Sequence, residues 1–175
     1  MAIEQLEKLV IHKAERGDVF RLECMIAAMG TGKDYGYFEH QFDRVESGMR
    51  EIYIAVLDGV DTGYCILNWF PKYALFQKLE IPEVQDLNVL PNFRRCGIAT
   101  MLIEHCENLA RARGKDQIGI GVSVAAQAGP AQRLYGKLGY VADGNGVTYD
   151  RKLTAPNEVR PLDDQLCLMM VKTMI

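Results

Sequence analysis

A basic, glycine-containing turn near the middle of the chain has the residue types of an anion-binding site. Residues 94–99 read Arg-Arg-Cys-Gly-Ile-Ala, and they follow a short apolar segment that ends at Pro91. A helix is predicted directly after the turn, because apolar residues recur there at helical spacing and Gly114 supplies a helix stop. These apolar residues are Ala99, Leu102, Ile103, Cys106, Leu109 and Ala110.

The predicted strand–turn–helix corner would present free main-chain N–H groups at the helix N-terminus, where they attract an anion. Gly97 and Ala99 carry little or no side chain, so a bulky phosphate has room to approach the main chain. Arg94 and Arg95 place positive charge beside it. These residues predict a pyrophosphate site, and an ordinary corner between a strand and a helix is the alternative.

Two segments of the chain resemble motifs of the GNAT superfamily of acyl-CoA-dependent N-acyltransferases. The first is Arg-x-x-Gly-x-Ala after a Leu-x-Val-x-Pro strand, at residues 87–99. The second, residues 129–140, is similar to the family segment Ala-x-x-Leu-Tyr-x-Lys-x-Gly-aromatic. The resemblance implies that acetyl-CoA is a co-substrate. It also implies transfer of the acetyl group to a primary amine of a small molecule or peptide, by direct attack in a ternary complex.

The resemblance assigns the cofactor contacts to the strand and to the basic turn. It implies that the N–H group of Leu87 stabilises the oxyanion and that Val89 pairs with the pantetheine amide. Thr100 either adds a hydroxyl to the phosphate site or packs in the first helical turn. The expected cofactor-binding residues are Leu87, Val89, Arg94, Arg95, Cys96, Gly97, Ile98, Ala99 and Thr100.

Amide formation from a thioester also needs a base for the amine and an acid for the departing thiolate. By resemblance, Tyr135 is the acid near the sulfur, and a phenol with a pKa of about 10 is a suitable donor. The alternative is a tyrosine packed in the core. Glu83 falls where one branch of the superfamily keeps its general-base glutamate, and Asp86 is the second candidate. Strand alternation places these two carboxylates on opposite faces unless a bulge intervenes, so both stay open.

One residue departs from the family pattern and keeps a second function open. Many members carry Asn seven residues before the tyrosine, where this chain has Ala128. A non-catalytic acyl-CoA-binding or sensor module is therefore the alternative function. A general nucleotide-phosphate binder is disfavoured, because the sequence has neither a Gly-x-x-x-x-Gly-Lys-Ser/Thr loop nor a Gly-x-Gly-x-x-Gly fingerprint.

The order of elements predicts an α/β (α+β) fold in one domain spanning residues 1–175. A strand hairpin comes first and later strands alternate with helices, which indicates a mixed, mostly antiparallel sheet of about six to seven strands flanked by helices. The first helix is expected to follow Asp18 and to keep Phe20, Cys24, Ala27 and Ala28 at helical spacing. The GNAT resemblance implies in addition that the strands of residues 84–89 and 118–124 are parallel and splay apart.

The composition excludes several classes of protein. A hydrophobic share of 49% and a charged share of 25% are typical of a globular domain, and the net charge of −3 disfavours nucleic acid as a partner. No apolar run has transmembrane length, and the N-terminus lacks the layout of a signal peptide, so we expect a cytoplasmic protein. The five cysteines are odd in number and scattered, which indicates buried free thiols. The histidines and cysteines lack ligand spacing, so no metal is expected.

The acceptor amine is poorly specified by the sequence. The loops over residues 31–42 and 69–76 are rich in aromatic residues and have acidic neighbours, which suits a cationic amine. A solvated loop whose aromatic residues pack into the core is the alternative. A homodimer stays open by analogy, because dimers are common in the superfamily.

Overall fold

The computed structural model describes residues 8–174, and within this range the chain has eight strands and five α-helices. Residues 1–7 and 175 of the predicted domain lie outside the described residues. The strands are β1 (Leu9–Lys13), β2 (Arg50–Leu57), β3 (Val60–Asn68), β4 (Glu83–Val89), β5 (Gln117–Ser123), β6 (Val141–Tyr149), β7 (Lys152–Leu153) and β8 (Leu166–Thr173). The helices are α1 (Val19–Met29), α2 (Tyr37–Glu46), α3 (Ala74–Lys78), α4 (Ile98–Ala112) and α5 (Gly129–Lys137).

The first of two compact units comprises residues 8–68 together with Gln85–Cys106. Its strands are neighbours in the order β1-β2-β3-β4, and β1–β2 and β2–β3 are antiparallel. Asp58 and Gly59, with φ values of 51° and 79°, connect β2 to β3, which is the left-handed backbone that a tight hairpin turn requires. The core contains Ala14, Leu22, Met25, Ile26, Phe38, Phe42, Ile52, Ile54, Tyr64 and Ile66.

The residues noted for their helical spacing after Asp18 do not form the buried face of α1. Phe20 is 78% exposed and Cys24 is exposed, whereas Leu22, Met25 and Ile26 are buried. Both sets have helical spacing, but the second presents longer aliphatic side chains and therefore removes more apolar surface from water. The next helix, α2, buries Phe38 and Phe42.

The second unit comprises Trp69–Val84 and residues 107–174. Its strands are neighbours in the order β4-β5-β8-β6-β7. The ladder between β4 and β5 is parallel, with Glu83 opposite Gly119 and Val84 opposite Ile120, whereas β5–β8, β6–β8 and β6–β7 are antiparallel. This confirms the predicted fold class of a mixed, mostly antiparallel sheet with a parallel pair.

The additional strands come from the polar C-terminal segment. Residues 144–146, Gly-Asn-Gly, lie inside β6, where the pairing with β8 shifts register between Ala142 and Val147. A short hairpin at Asp150 and Arg151 then joins β6 to β7. The sequence did not reveal β7 because its segment is polar and the strand has only two residues, both of them exposed. Within residues 8–174, no helix has both the length and the apolar character needed to cross a membrane.

Gly119 on β5 allows α3 to pack closely against the sheet of the second unit. A Cβ atom at this position would lie 2.1 Å from Cε2 of Phe76, a side chain with no exposed surface. The ring of Phe76 also contacts that of Tyr73 at 4.9 Å between centroids, so it has little room to move.

We therefore expect Gly119→Ala to lower the free energy of unfolding by about 1–3 kcal/mol, because the added methyl group overpacks the core. Urea denaturation followed by circular dichroism measures the change. Gly136→Ala on α5 is the matched control, since a Cβ atom there meets nothing within 4 Å. This control should leave stability unchanged or raise it by about 0.5–1 kcal/mol. Equal effects of the two variants would contradict the close packing.

Candidate active site

The basic turn lies between β4 and α4 and has the backbone of an anion site. Arg95 and Gly97 have φ values of 61° and 83°, and α4 begins at Ile98. The N–H group of Met101 donates to the carbonyl of Gly97 at 3.0 Å. The main-chain N–H groups of residues 95–100, by contrast, donate to no acceptor within residues 8–174. Successive unpaired N–H groups at a helix N-terminus form a concavity that binds anions.

The side chains of the turn are arranged around the same surface. Arg94, Arg95 and Cys96 are exposed, whereas Ile98 is 1% exposed and anchors the first turn of α4. Nε of Arg94 donates to the carbonyl of Val89 at 3.1 Å, which ties the guanidinium to the end of β4. The predicted cofactor residues of the strand and the turn thus lie in one unit, and Arg94 has a fixed position there. Cys24 and Cys96 are exposed, which corrects the expectation of buried thiols for these two residues, although all five cysteines are free.

Asp86 on β4 is the centre of a polar cluster in the first unit. Its Oδ1 accepts hydrogen bonds from Nζ of Lys33 at 2.5 Å and Nδ2 of Asn88 at 2.8 Å. Its Oδ2 accepts from the hydroxyls of Tyr37 at 3.0 Å and Tyr64 at 3.1 Å. The Asp86 side chain is 11% exposed, so these donors replace most of its hydration.

The backbone at Asp86 breaks the regular alternation of β4. Its φ is 49°, in the left-handed region that strand residues rarely adopt. Side chains therefore do not simply alternate between the two faces of β4 from Glu83 to Asp86. The sequence analysis had left this open by allowing for a bulge. Burial, and then the negative charge of Asp86, raise the pKa values of Tyr37 and Tyr64 above that of an ordinary tyrosine. Both phenols consequently stay protonated and act as donors to the carboxylate.

Glu83, the other candidate base, lies at the start of β4 in the second unit and has no exposed surface. Nε and Nη2 of Arg151 both lie 2.8 Å from its Oε1. Burial lowers the pKa of Arg151, but the charge and hydrogen bond of Glu83 together with the contact to Cys167 outweigh this, and the net shift is upward. The guanidinium passes close to Gly121, where a Cβ atom would lie 3.0 Å from Nη2. Glu83 is thus held in a buried ion pair.

Arg151 reaches Glu83 from the two-residue turn between β6 and β7. Asp150 and Arg151 both have positive φ values, 48° and 64°, as the primed turns of two-residue hairpins require. Sequence analysis missed Arg151 because its segment carries no strand or helix period. The sequence did contain one indication of this turn, because Asp is among the residues that tolerate the left-handed backbone conformation in turns.

Tyr135 lies within α5 in the second unit and is 6% exposed. Its ring centroid lies 6.2 Å from that of Tyr140, whose hydroxyl donates to Oε1 of Glu107 at 3.1 Å. Ala128 precedes α5 in a short 3₁₀ turn, and Pro130 occupies the first turn of the helix. Burial of the Tyr135 ring is compatible with both of its predicted roles, acid and core residue, so its acid role stays a prediction.

Besides Arg151, the four partners of Asp86 were not among the site residues predicted from sequence: Lys33, Tyr37, Tyr64 and Asn88. Tyr37 belongs to the aromatic loop that was considered for the acceptor, but the acidic residue that meets it is Asp86 rather than the neighbouring Asp34. Tyr64 is hidden within an apolar strand. Only tertiary structure brings these residues together. Among residues 8–174, no group of three or more His, Cys, Asp or Glu side chains is placed to hold a metal ion.

Comparisons with known proteins agree with this architecture. The chain is 29% identical over 106 residues to an uncharacterized N-acetyltransferase of Methanocaldococcus jannaschii, a match that covers 59% of the chain and 43% of that relative. It is 32% identical over 81 residues to an uncharacterized N-acetyltransferase of Archaeoglobus fulgidus, covering 45% of the chain and 51% of the relative. The matches thus span about half the length of these relatives or less.

The fold is shared with solved acetyltransferases. A GNAT family acetyltransferase from Elizabethkingia anophelis with acetyl-CoA bound superposes with a TM-score of 0.66 at 14% identity, covering 96% of this chain and 99% of that one. The family model of the acetyltransferase (GNAT) domain matches residues 49–142. This match spans more than half of the chain and includes β4, the basic turn and α5. The chain therefore belongs to the GNAT acetyltransferase domain family.

Proposed function

We propose that the protein transfers an acetyl group from acetyl-CoA to a primary amine by direct attack in a ternary complex. The observation that carries this proposal is the row of main-chain N–H groups over residues 95–100, which have no acceptor in the described chain. Such a row, at the start of a 15-residue helix and beside two exposed arginines, suits the diphosphate of coenzyme A. The family match supports the choice of coenzyme A over other diphosphates.

The proposed reaction forms a C–N bond to the acetyl carbon and breaks its C–S bond. The N–H group of Leu87 stabilises the oxyanion, and Tyr135 gives a proton to the departing thiolate. A carboxylate takes the proton that the attacking nitrogen loses. Val89 and the turn from Arg94 to Thr100 hold the cofactor, and each of these roles follows from the resemblance.

The surroundings of the two carboxylates favour Asp86 as the base. Glu83 has no exposed surface and is paired with Arg151, so protonation of Glu83 would disrupt a buried ion pair. Asp86 keeps some exposure, and its cationic partner Lys33 belongs to a loop. We therefore propose Asp86 as the base and assign Glu83 to positioning of β4.

A non-catalytic acyl-CoA-binding module is the second candidate. The observation that favours it is the pairing of Asp86 with an internal cation, Lys33, together with Ala128 in place of the family asparagine. Such a module would bind acetyl-CoA without releasing CoA. Steady release of CoA thiol over a broad panel of amines would eliminate it.

Gly97→Glu should weaken acetyl-CoA binding at least about 100-fold, because a carboxylate in the anion turn repels the diphosphate and strains the backbone. Isothermal titration calorimetry measures the dissociation constant. Gly48→Glu is the matched control, since Gly48 has a similar φ of 74° and open space around it. Its expected affinity is that of the unaltered protein. Retained affinity in Gly97→Glu would remove the turn from the cofactor site.

Tyr135→Phe should lower kcat by about 100-fold and leave the dissociation constant of acetyl-CoA unchanged, because only the proton donor is lost. Steady-state release of CoA thiol provides kcat. Tyr73→Phe serves as the control, since it removes another buried hydroxyl, which donates to Asp143 at 2.6 Å. We expect the control to lose about 1 kcal/mol of stability and no turnover. Full activity of Tyr135→Phe would assign Tyr135 to the core.

The two carboxylate variants should separate catalysis from stability. Asp86→Asn should lower kcat/KM by about 100-fold or more and remove the acid limb of its pH profile, because the base is lost. Glu83→Gln should lower the free energy of unfolding by about 3 kcal/mol, because it leaves Arg151 buried without a counter-charge. Kinetics at saturating acetyl-CoA and urea denaturation measure the two effects. A stable but inactive Glu83→Gln would identify Glu83 as the base.

A further inference from the structure

The ammonium group of Lys33 lies in a cage of carboxylate and aromatic groups. It contacts Oδ1 of Asp86 at 2.5 Å and lies 4.9 Å from the ring centroid of Tyr37. The hydroxyls of Tyr37 and Tyr64 bind the other carboxylate oxygen. A carboxylate beside an aromatic face is the arrangement by which proteins recognise alkylammonium ligands.

Lys33 reaches this cage from a loop and not from a helix or strand. The loop joins α1 to α2, and Gly30, Gly32 and Gly36 within it have φ values of 60°, 69° and 86°. Glycine tolerates these angles and their alternatives equally well, so the loop can change conformation without steric strain. Tyr35 is 99% exposed, so its ring does not anchor the loop to the core.

Lys33 also lines a cavity of about 730 Å³ in the same unit. The other lining residues include the apolar side chains of Val19, Phe20 and Ala27 and the carboxylates of Glu23 and Glu39. An apolar wall suits a methylene chain, and the carboxylates favour positive charge at its far end. The lysine therefore stands between an open cavity and a buried carboxylate.

A second lysine–carboxylate pair in the same unit differs from the pair of Lys33 and Asp86 in that its lysine lies on a strand and not in a loop. Nζ of Lys13 contacts Oε1 of Glu51 at 2.7 Å, and the hydroxyl of Tyr53 donates to Oε2 at 3.1 Å. All three residues lie on the paired strands β1 and β2, where the backbone is fixed. That cluster joins two strands, whereas the Asp86 cluster adjoins Leu87, the proposed oxyanion residue.

We propose that Lys33 occupies the site for the ammonium group of the acceptor, which is a primary amine on an unbranched alkyl chain and displaces Lys33 when it binds. The role of this amine as the acetyl acceptor rests on the proposed function, whereas the exchange of one bound ammonium group for another is independent of that function. Lys33 thereby neutralises Asp86 in the free protein and excludes cations that cannot compete with a tethered ammonium. The acceptor chain then occupies the cavity that Lys33 lines.

Titration calorimetry with 1,5-diaminopentane, without acetyl-CoA, tests the exchange. Lys33→Met keeps an unbranched side chain and removes the charge, so the diamine should bind at least about tenfold more tightly than to the unaltered protein. Lys13→Met is the matched control and should leave the affinity unchanged. Asp86→Asn should abolish binding in both backgrounds. Unchanged or weaker binding by a folded Lys33→Met would overturn the proposal.

A measurement on the unaltered protein covers the case in which Lys33→Met does not fold. Brief treatment with acetic anhydride, followed by mass spectrometry of peptides, gives the reactivity of each lysine. Adding 1,5-diaminopentane should raise the ratio of Lys33 modification to Lys13 modification, because displaced Lys33 becomes exposed, whereas the reagent that the diamine consumes lowers both rates alike. An unchanged ratio would contradict the exchange. Diamine binding without CoA release in the presence of acetyl-CoA would instead count against the proposed transferase function alone.

Discussion

The need to compensate the charge of Asp86 organises the first unit. A largely buried carboxylate without partners costs several kcal/mol, so its surroundings must supply donors. These donors come from four segments: the loop after α1, the start of α2, the middle of β3 and β4 itself. The need for these donors therefore constrains how the N-terminal helices pack against the sheet of the first unit. It also sets Leu87, the next residue, at the point where the strand leaves regular geometry.

Glu83 and Asp86 lie on the same strand, but different kinds of partner compensate their buried negative charges. Glu83 receives a forked guanidinium from a rigid turn, and both contacts go to one oxygen. Asp86 receives an ammonium group on a flexible stem together with neutral hydroxyl and amide donors. A fork resists exchange because several bonds must break together, whereas a single ammonium can be replaced by another. The chemistry of the partner thus separates a structural carboxylate from one suited to ligand exchange.

Local pattern was sufficient to predict the strand–turn–helix corner that carries the proposed cofactor site. The turn from Arg94 to Ala99 needs small residues, positive charge and a following helix, and all three are contiguous in sequence. The fold class also followed from the order of strands and helices. Sequence alone did not identify the buried face of α1, because two stripes of apolar residues compete there, and only packing against β2 and β3 selects the one with Leu22. Lys33, Tyr64 and Arg151 were missed because each meets its carboxylate across a long stretch of chain.

The length of the hairpin turn at Asp150 and Arg151 determines whether a side chain of the turn reaches the interior of the second unit. A two-residue primed turn orients each of its side chains, and here one of them is the counter-ion of a buried glutamate. An insertion of one residue would change the turn type and rotate the guanidinium away from β4. A surface connection of this kind usually drifts in length during evolution. In this family branch, gaps should therefore be tolerated in the polar segment after β7 and selected against at this turn.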